Sequence, residues 1–401
     1  MARALEELAP APPVAAEAAA EERTKMGDEE AVAQVAAVLE AAAREAGSFP
    51  LQELLRLDGR EAFSQGVVAL WEDPDGAFVK QAWGALYKWR TRLTFERRMD
   101  LVWLEDKVEQ RRLMRQWPKG AGEPLPSSWF LPGEEIEAAA EALRFLEAGQ
   151  PIVVKPRHAA CGQGLTVLDP PCDAARVEAA VQLAVTTDCK KGESWQLYQV
   201  PRGVGVEPRY ESDGLSSKQP ERPLEMKVQT LWGRAIGASL HTSQLIWILP
   251  DGRMHRWRRS GHKTSLEQLY GPLPRDAEAV LSPLLASHWP FIIAESEAIA
   301  LRWGLDEVRV DWLLGCARFG PRIGEVTWMG TGDRIARPLQ HEVAKAFVRG
   351  HRLRQELEQA GKGPLPSLPA TLPAPACPGE ECASESRLAS SWTPGDETGS
   401  N

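Results

Sequence analysis

Nowhere in the sequence do about 18 apolar residues run together, so no membrane-spanning helix is expected. Cysteine is scarce, with 6 in 401 residues. The cysteines stand at 161, 172, 189, 316, 377 and 382 without CxxC pairing, which argues against zinc fingers and fits scattered reduced thiols in the cytoplasm. A basic excess is missing too: 47 Lys and Arg face 56 Asp and Glu, a formal net charge of −9, so no nucleic-acid partner is expected. Arg90, Arg92, Arg97 and Arg98 with Trp89 and Trp103 form a local basic-aromatic patch, read as a helix face. The first 47 residues lack the basic start and apolar core of a secretory signal, and Glu6, Glu7, Glu17, Glu21 and Glu22 argue against a plastid transit peptide. No internal repeat is visible. These absences point to a cytoplasmic protein with no membrane partner.

What the chain does have is length for roughly two or three domain-sized units and an unusual number of tryptophans, 15. Core and interface packing is one use for them; a flat platform for sugar rings is another. Coarse periodicity predicts an Ala/Glu-rich extension over 1–47, with a helix at 28–45 joined loosely to the rest of the chain. An α-rich region occupies 48–120. Helices are also predicted at 134–146, 176–185, 281–303 and 339–359. Strands are predicted at 152–154, 224–240 and 245–257, the last bent at the hairpin signal Asp251-Gly252, and 203–214 reads as strand then loop. A polar insertion occupies 212–223. From 361 to 401 the chain turns Pro- and Ser-rich, too poor in apolar surface to offset its chain entropy, and is expected to be disordered.

Two clusters carry chemistry. In the first, the β-branched run Ile152, Val153, Val154 ends in Lys155, a poor guest for a buried strand unless an anion needs it. Ala159, Ala160, Gly162 and Gly164 then leave the backbone bare enough for successive N–H groups to close on a phosphate. An ordinary β-turn beside a lysine gives the same pattern. Cys161, within this loop, reads as a small filler or a redox-sensitive thiol. In the second cluster, Val308, Val310 and Trp312 alternate with Arg309 and Asp311, and Ile323 precedes Glu325 and Thr327. Two carboxylates on paired strands with a hydroxyl two residues on make a hard oxygen site suited to Mg²⁺. Asp311 pairing with Arg309 or Arg322 as an ion pair is the alternative.

Taken in order, these clusters, the segment Val206-Glu207-Pro208 and the strand Glu225-Met226-Lys227 resemble the ATP-grasp superfamily. The detail is most similar to its TupA-like, teichuronopeptide-biosynthesis type, because the terminal motif runs Glu-x-Thr rather than Glu-x-Asn. The likeness covers roughly residues 101–332. It implies an α+β, ATP-grasp fold in which two α+β subdomains clasp ATP, here a lid over 121–210 and a metal-bearing C-terminal subdomain over 211–360. Lys107, in a motif with Asp106 and Arg111, would reach nucleotide phosphate. Lys155 would hold the α- and β-phosphates under a lid from His158 to Gly164 that includes Gly162. Glu207 to Tyr210 would meet adenine and ribose. Lys227 would act on phosphate or substrate, and Asp311, Glu325 and Thr327 would hold Mg²⁺. The basic loop around Arg258 and Lys263 is a further candidate for the γ-phosphate or an acidic substrate.

The resemblance implies a magnesium- and ATP-binding ligase that joins a carboxylate to an amine through an acyl phosphate. The substrates would be a small-molecule, saccharide or peptide carboxylate and an amine. Two alternatives stay open: a phosphotransferase acting on a hydroxyl, and a non-catalytic nucleotide-binding interaction module, the latter suggested by Thr327 and by the glycine-poor loop His158-Ala159-Ala160-Cys161.

Overall fold

Alternation with a period of two decides the architecture. In strand β2 (Ile152–Pro156) the residues Ile152, Val154 and Pro156 are buried while Val153 and Lys155 are half-buried, so one face of the strand is apolar and the other carries the lysine. In the computed structural model the described residues are 13–48, 99–116, 122–189, 194–212, 223–241, 245–257, 275–328 and 337–362. The chain divides into two units, Met1–Leu365 and Pro366–Asn401, and every described residue belongs to the first. Most of the predicted α-rich region over 48–120, most of the insertion over 212–223 and nearly all of the tail lie outside the described residues.

The fold is α+β and holds two antiparallel sheets among the described residues. The smaller has the order β1-β4-β2-β3, formed by β1 (Ser128–Phe130), β2, β3 (Thr166–Leu168) and β4 (Val204–Pro208). The larger has the order β10-β9-β5-β6-β7-β8, from β5 (Leu224–Leu231), β6 (Arg234–His241), β7 (Leu245–Ile248), β8 (Met254–Trp257), β9 (Glu307–Leu314) and β10 (Arg322–Thr327).

Helices pack on both sheets. On the smaller sheet, α3 (Glu135–Glu147) and α4 (Ala174–Thr186) bring Ala138, Ala142, Val177 and Val181 onto Ile152, Val154, Val204 and Val206. On the larger, α6 (Arg275–Trp303) packs Leu285, Trp289, Ile292 and Ile299 against Met226, Val228, Val308, Val310 and Trp312. Helix α6 runs through Pro283 and Pro290. Trp312 is fixed from the helix side, its Nε1 donating to Ser296 Oγ at 3.0 Å.

Helix α2 (Lys107–Arg115) starts at an Asp106 cap whose carboxylate accepts from the Val108 N–H at 2.9 Å. The short α5 (Trp195–Tyr198) starts in the same way at Ser194. The N-terminal helix α1 (Pro13–Glu45) is not loosely joined. Val35, Leu39 and Ala42 are buried in one cluster with Val343, Phe347, Trp232 and Trp247, so α1 and α7 (Arg337–Gln359) form a pair seated on the β5–β7 end of the larger sheet. Arg253 to Glu30 at 2.9 Å and Arg234 to Glu45 at 3.0 Å clamp it from the rim. The helical spacing of Ala31, Val35, Leu39 and Ala42 makes a buried stripe, which is why the extension is a packed element and not the expected tether.

The single strand expected over 224–240 is a hairpin. Trp232 and Gly233 both take positive φ, 50° and 74°, giving the turn handedness that matches strand twist. Tryptophan is a rare occupant of that region. Its burial and a 3.2 Å hydrogen bond from Nε1 to the Ala346 carbonyl on α7 hold it there.

Because Leu39 is 1% exposed inside this cluster, Leu39→Ala is expected to cost about 2–5 kcal/mol in urea unfolding, whereas a tether residue would cost nearly nothing.

Candidate functional site

The face of the smaller sheet turned away from α3 and α4, and that of the larger turned away from α6, carry polar rows; on the larger sheet α1 and α7 cover the end of that face at Trp247. On the larger sheet, strand register sets one continuous row: Glu325 opposite Asp311, Asp311 opposite Lys227, Lys227 opposite Ser239, and Ser239 opposite Trp247. The next row, two residues along, runs Thr327, Arg309, Gln229, Gly237. Directly opposed side chains stand about 4.5–5.5 Å apart at Cβ, so each row is a set of mutual neighbours.

Asp311 is fully buried, and its two oxygens are neutralised from both sides. Arg309 donates from Nε to Oδ1 at 2.7 Å and from Nη2 to Oδ2 at 3.0 Å, while Lys227 Nζ bonds Oδ2. Burial alone would push the Asp311 carboxyl up. Arg309 and Lys227 outweigh it and hold the group below the usual carboxylate range. Arg309 is likewise shifted upward despite burial, because Asp311 faces it. Arg309 Nη2 also donates to Thr327 Oγ1 at 3.0 Å, and Lys227 reaches Glu225 at 2.9 Å. Glu225 is pushed up, first by burial and then by the charge of Asp311. Of the two partners weighed for Asp311, the structure selects Arg309; Arg322 lies 3.2 Å from Glu123 instead. Glu325 is exposed on the edge strand. No cluster of three or more His, Cys, Asp or Glu side chains in metal-holding geometry occurs among the described residues.

On the smaller sheet the corresponding row is Trp129, Gly205, Lys155. Gly205 has no side chain, and a Cβ there would stand 2.6 Å from the Trp129 indole. The indole therefore lies across β4 and brings its ring to 5.8 Å from Lys155 Nζ and 5.5 Å from the Arg111 guanidinium. Lys155 pairs with Glu207 at 2.5 Å, and Glu207 takes a second bond from Arg111 Nη2 at 3.1 Å. Burial, abetted by the Arg111 and Lys107 charges, lowers the Lys155 amine to about 8 in spite of Glu207. Burial raises Glu207, and the two cations override it, leaving the carboxyl below its ordinary value.

Helix α2 joins the two sheets through one face. Lys107 Nζ donates to the carbonyls of Ala159 at 2.6 Å and Arg157 at 3.3 Å. Gln110 Nε2 donates to Val326 O on β10 at 2.9 Å, and Arg111 Nη1 donates to Leu125 O and Ser127 Oγ, each at 2.6 Å. The spacing 107, 110, 111 puts these three on one side of the helix. Asp106 forks onto Arg157, with bonds of 2.9 and 2.5 Å, and so ties the start of the loop after β2 to the cap of α2.

The loop from His158 to Gly164 is anchored at its start. His158 Nε2 lies 2.7 Å from the Thr187 carbonyl, which only accepts, so Nε2 carries a proton. Burial lowers the His158 pKa and so favours the neutral ring. Beyond the anchor Cys161, Gly162 and Gly164 all take positive φ, 56°, 74° and 65°. Tyr210, expected at a nucleotide hinge, has its side chain engaged elsewhere: its hydroxyl donates to Gly320 O at 2.7 Å and accepts from the Cys316 N–H at 3.2 Å. Arg258 and Lys263 lie outside the described residues. Sequence reasoning missed Glu225 and Gln229 on the Lys227 face, and the Glu207 partnership of Arg111. The period-two pattern of 225, 227 and 229 was the available signal for the first two.

No protein-family model matches the sequence, and no curated protein matches it. Among solved structures the chain is similar to the D-cycloserine synthetase DcsG, with 18% identity over 71% of this chain and 88% of that one, at a TM-score of 0.36. It is also similar to the VanG D-Ala:D-Ser ligase from Enterococcus faecalis, 16% identical over 63% and 62%, TM-score 0.35. A third is the ATP-grasp ligase PsnB in complex with a phosphomimetic variant of a minimal precursor, Mg and ADP, 14% identical over 55% and 48%, TM-score 0.30. The chain spans less than two thirds of the length of the latter two.

Removing Arg309 takes the bidentate partner from a buried carboxylate and leaves it with Lys227. Arg309→Met is expected to cost about 3–5 kcal/mol in denaturant unfolding, and Arg309→Met combined with Asp311→Leu to recover much of it.

Proposed function

We propose that this protein binds ATP with Mg²⁺ and joins a carboxylate to an amine through an acyl phosphate, the polar faces of the two sheets forming the walls of one cleft. In this reading residues 121–210 are the lid subdomain and 211–360 the metal-bearing one. The observation that carries it is that one helix, α2, ties the sheet bearing the row Glu325, Asp311, Lys227 to the sheet bearing the desolvated Lys155, Gln110 reaching the first and Arg111 the second. Buried cations with room for more negative charge suit a polyphosphate.

The donor set fits magnesium. Mg²⁺ is usually held by one or two carboxylates together with phosphates, and Asp311 and Glu325 stand directly opposite on neighbouring strands. Each carboxylate oxygen has two lone pairs, so Asp311 retains acceptor capacity beside its cations. Thr327 is a weaker third oxygen, already accepting from Arg309. When bound, the ion would neutralise charge building on the phosphate oxygens.

The chain's own residues do the rest. Lys155 would exchange Glu207 for α- and β-phosphate oxygens, with Glu207 kept in place by Arg111. Lys107 would act by holding the Arg157 and Ala159 carbonyls and so shaping the phosphate loop, and Glu207 to Tyr210 would offer main-chain groups to the base. The substrate carboxylate attacks the γ-phosphorus, the bond to the β–γ bridging oxygen breaks, and ADP leaves. The amine nitrogen then attacks the acyl carbon, phosphate departs and the amine proton is lost. Lys227 and Arg309 would steady the charge that moves in both steps. Exclusion of water preserves the acyl phosphate. Within this class the Glu-x-Thr ending favours the TupA-like type.

ATP with Mg²⁺ is expected to stabilise the protein by about 2.7 kcal/mol at a hundredfold excess over Kd. That gain should vanish in Lys155→Met and lose its metal dependence in Glu325→Gln. Release of ADP and free phosphate with a new amide would support ligation, whereas a phosphorylated product would overturn it.

The Lys155 amine, lowered to about 8, sets a pH dependence. Its charge is present below that value and is lost as pH rises through it. ATP affinity should therefore fall above about pH 8, and in Lys155→Arg should stay flat; a wild-type affinity unchanged to pH 9.5, on the order of 1.5 units higher, would remove Lys155 from phosphate binding.

A further inference from the structure

Gln229 is 1% exposed on the polar face of β5, one row along from Lys227 and beside Arg309. Neither Nε2 nor Oε1 of its amide has a hydrogen-bond partner among the described residues. Ser239, across from Lys227 on β6, is 5% exposed, and its Oγ is equally unpartnered. Buried polar atoms are paired in the great majority of cases, and a stretch of strand that leaves three adjacent ones unmet is holding them for something else. The opposite face of the same strand, with Met226 and Val228 at no measurable exposure, shows no such defect.

We propose that Gln229 and Ser239 recognise a primary carboxamide on the substrate. The chemistry of the unmet atoms selects it. Gln229 offers a donor and an acceptor in one plane, and a second primary amide meets both with two parallel hydrogen bonds. A carboxylate would set its lone pairs against Oε1, and an ammonium would leave Nε2 unmet. Ser239, a diagonal neighbour of Gln229 and the direct neighbour of Lys227, takes the remaining hydrogen or lone pair. The use of this site in catalysis rests on the ligase reading, because it places the carboxamide beside the lysine that would face the reacting groups; its existence as a binding site does not. A pocket built to satisfy a substrate N–H rejects an analogue lacking it far more strongly than an apolar pocket rejects a missing methylene.

Two measurements on the full-length protein test this without ATP. Gln229→Met is close to isosteric and removes the unpaired amide, so the ligand-free protein should melt higher by on the order of 2–6 °C. A lower melting temperature would show that the amide is already satisfied and overturn the proposal. L-Asparagine and L-glutamine at high millimolar concentration should raise the wild-type melting temperature, L-aspartate and L-glutamate should not, and the shift should be lost in Gln229→Met and reduced in Ser239→Ala. Equal shifts from the acids, or none from either amide, would overturn it. Failure of the ligase reading shows separately, as no stabilisation by ATP with Mg²⁺ and no ADP release, and leaves the amide-dependent shift untouched.

Discussion

The parity of β5 and β9 is the constraint on which the rest depends. Side chains alternate across a strand, so a slip of one residue between these strands would bring Lys227, Arg309 and Asp311 into the core and expose Met226, Val310 and Trp312. Neither outcome is tolerable, because a fully buried carboxylate without its cations is among the costliest defects a fold can carry. Asp311 therefore does two things. It locks the register of the central strand pair, and it draws Arg309 and Lys227 onto a single face. That face is polar because the other is sealed by α6.

The smaller sheet repeats the logic with different means. There the apolar face is closed by α3 and α4, and the polar face is organised around Glu207, which collects Lys155 from the neighbouring strand and Arg111 from α2. A short helix thereby becomes the mechanical link of the structure. Its cap residue holds Arg157, its first residue holds the loop after β2, and its next turn touches β10 and β4 at once. Movement of either sheet's polar face relative to the other must pass through these contacts. Tyr210 supplies a second tie where β4 leads onward, through its bonds to Gly320 and Cys316.

Much of this was legible in the sequence, for physical reasons that differ by element. Strands such as 152–156 and 307–314 announce themselves because a half-buried strand must alternate, and Asp311 could be placed opposite the apolar face from that alone, whereas Glu325 reaches the same face through a register shift after Ile323 that alternation does not show. The N-terminal helix was visible as a helix but not as a core element, since its buried residues are mostly alanines, whose contribution depends on the close approach of α7. The turn at Trp232-Gly233 was invisible because its positive-φ tryptophan is stabilised by contacts from α7, with its hydrogen-bond partner 114 residues further along the chain. Gly205 reads as a weak strand residue until Trp129 is seen lying across it. In each case the missing information was a tertiary partner.

Charge is distributed unevenly between the two polar faces, and the unevenness has a direction. Around Glu207 the cations Lys107, Arg111 and Lys155 outnumber the carboxylate. Around Asp311 the order is reversed, with Glu225 and Glu325 joining it against Lys227 and Arg309. An excess of positive charge around one set and of negative charge around the other adds to the burial that lowers Lys155 and raises Glu225. A ligand that is anionic toward the first set and brings a cation to the second relieves both imbalances together. A nucleotide triphosphate with its divalent ion has that polarity, which is what the proposed ATP binding asks of the two faces.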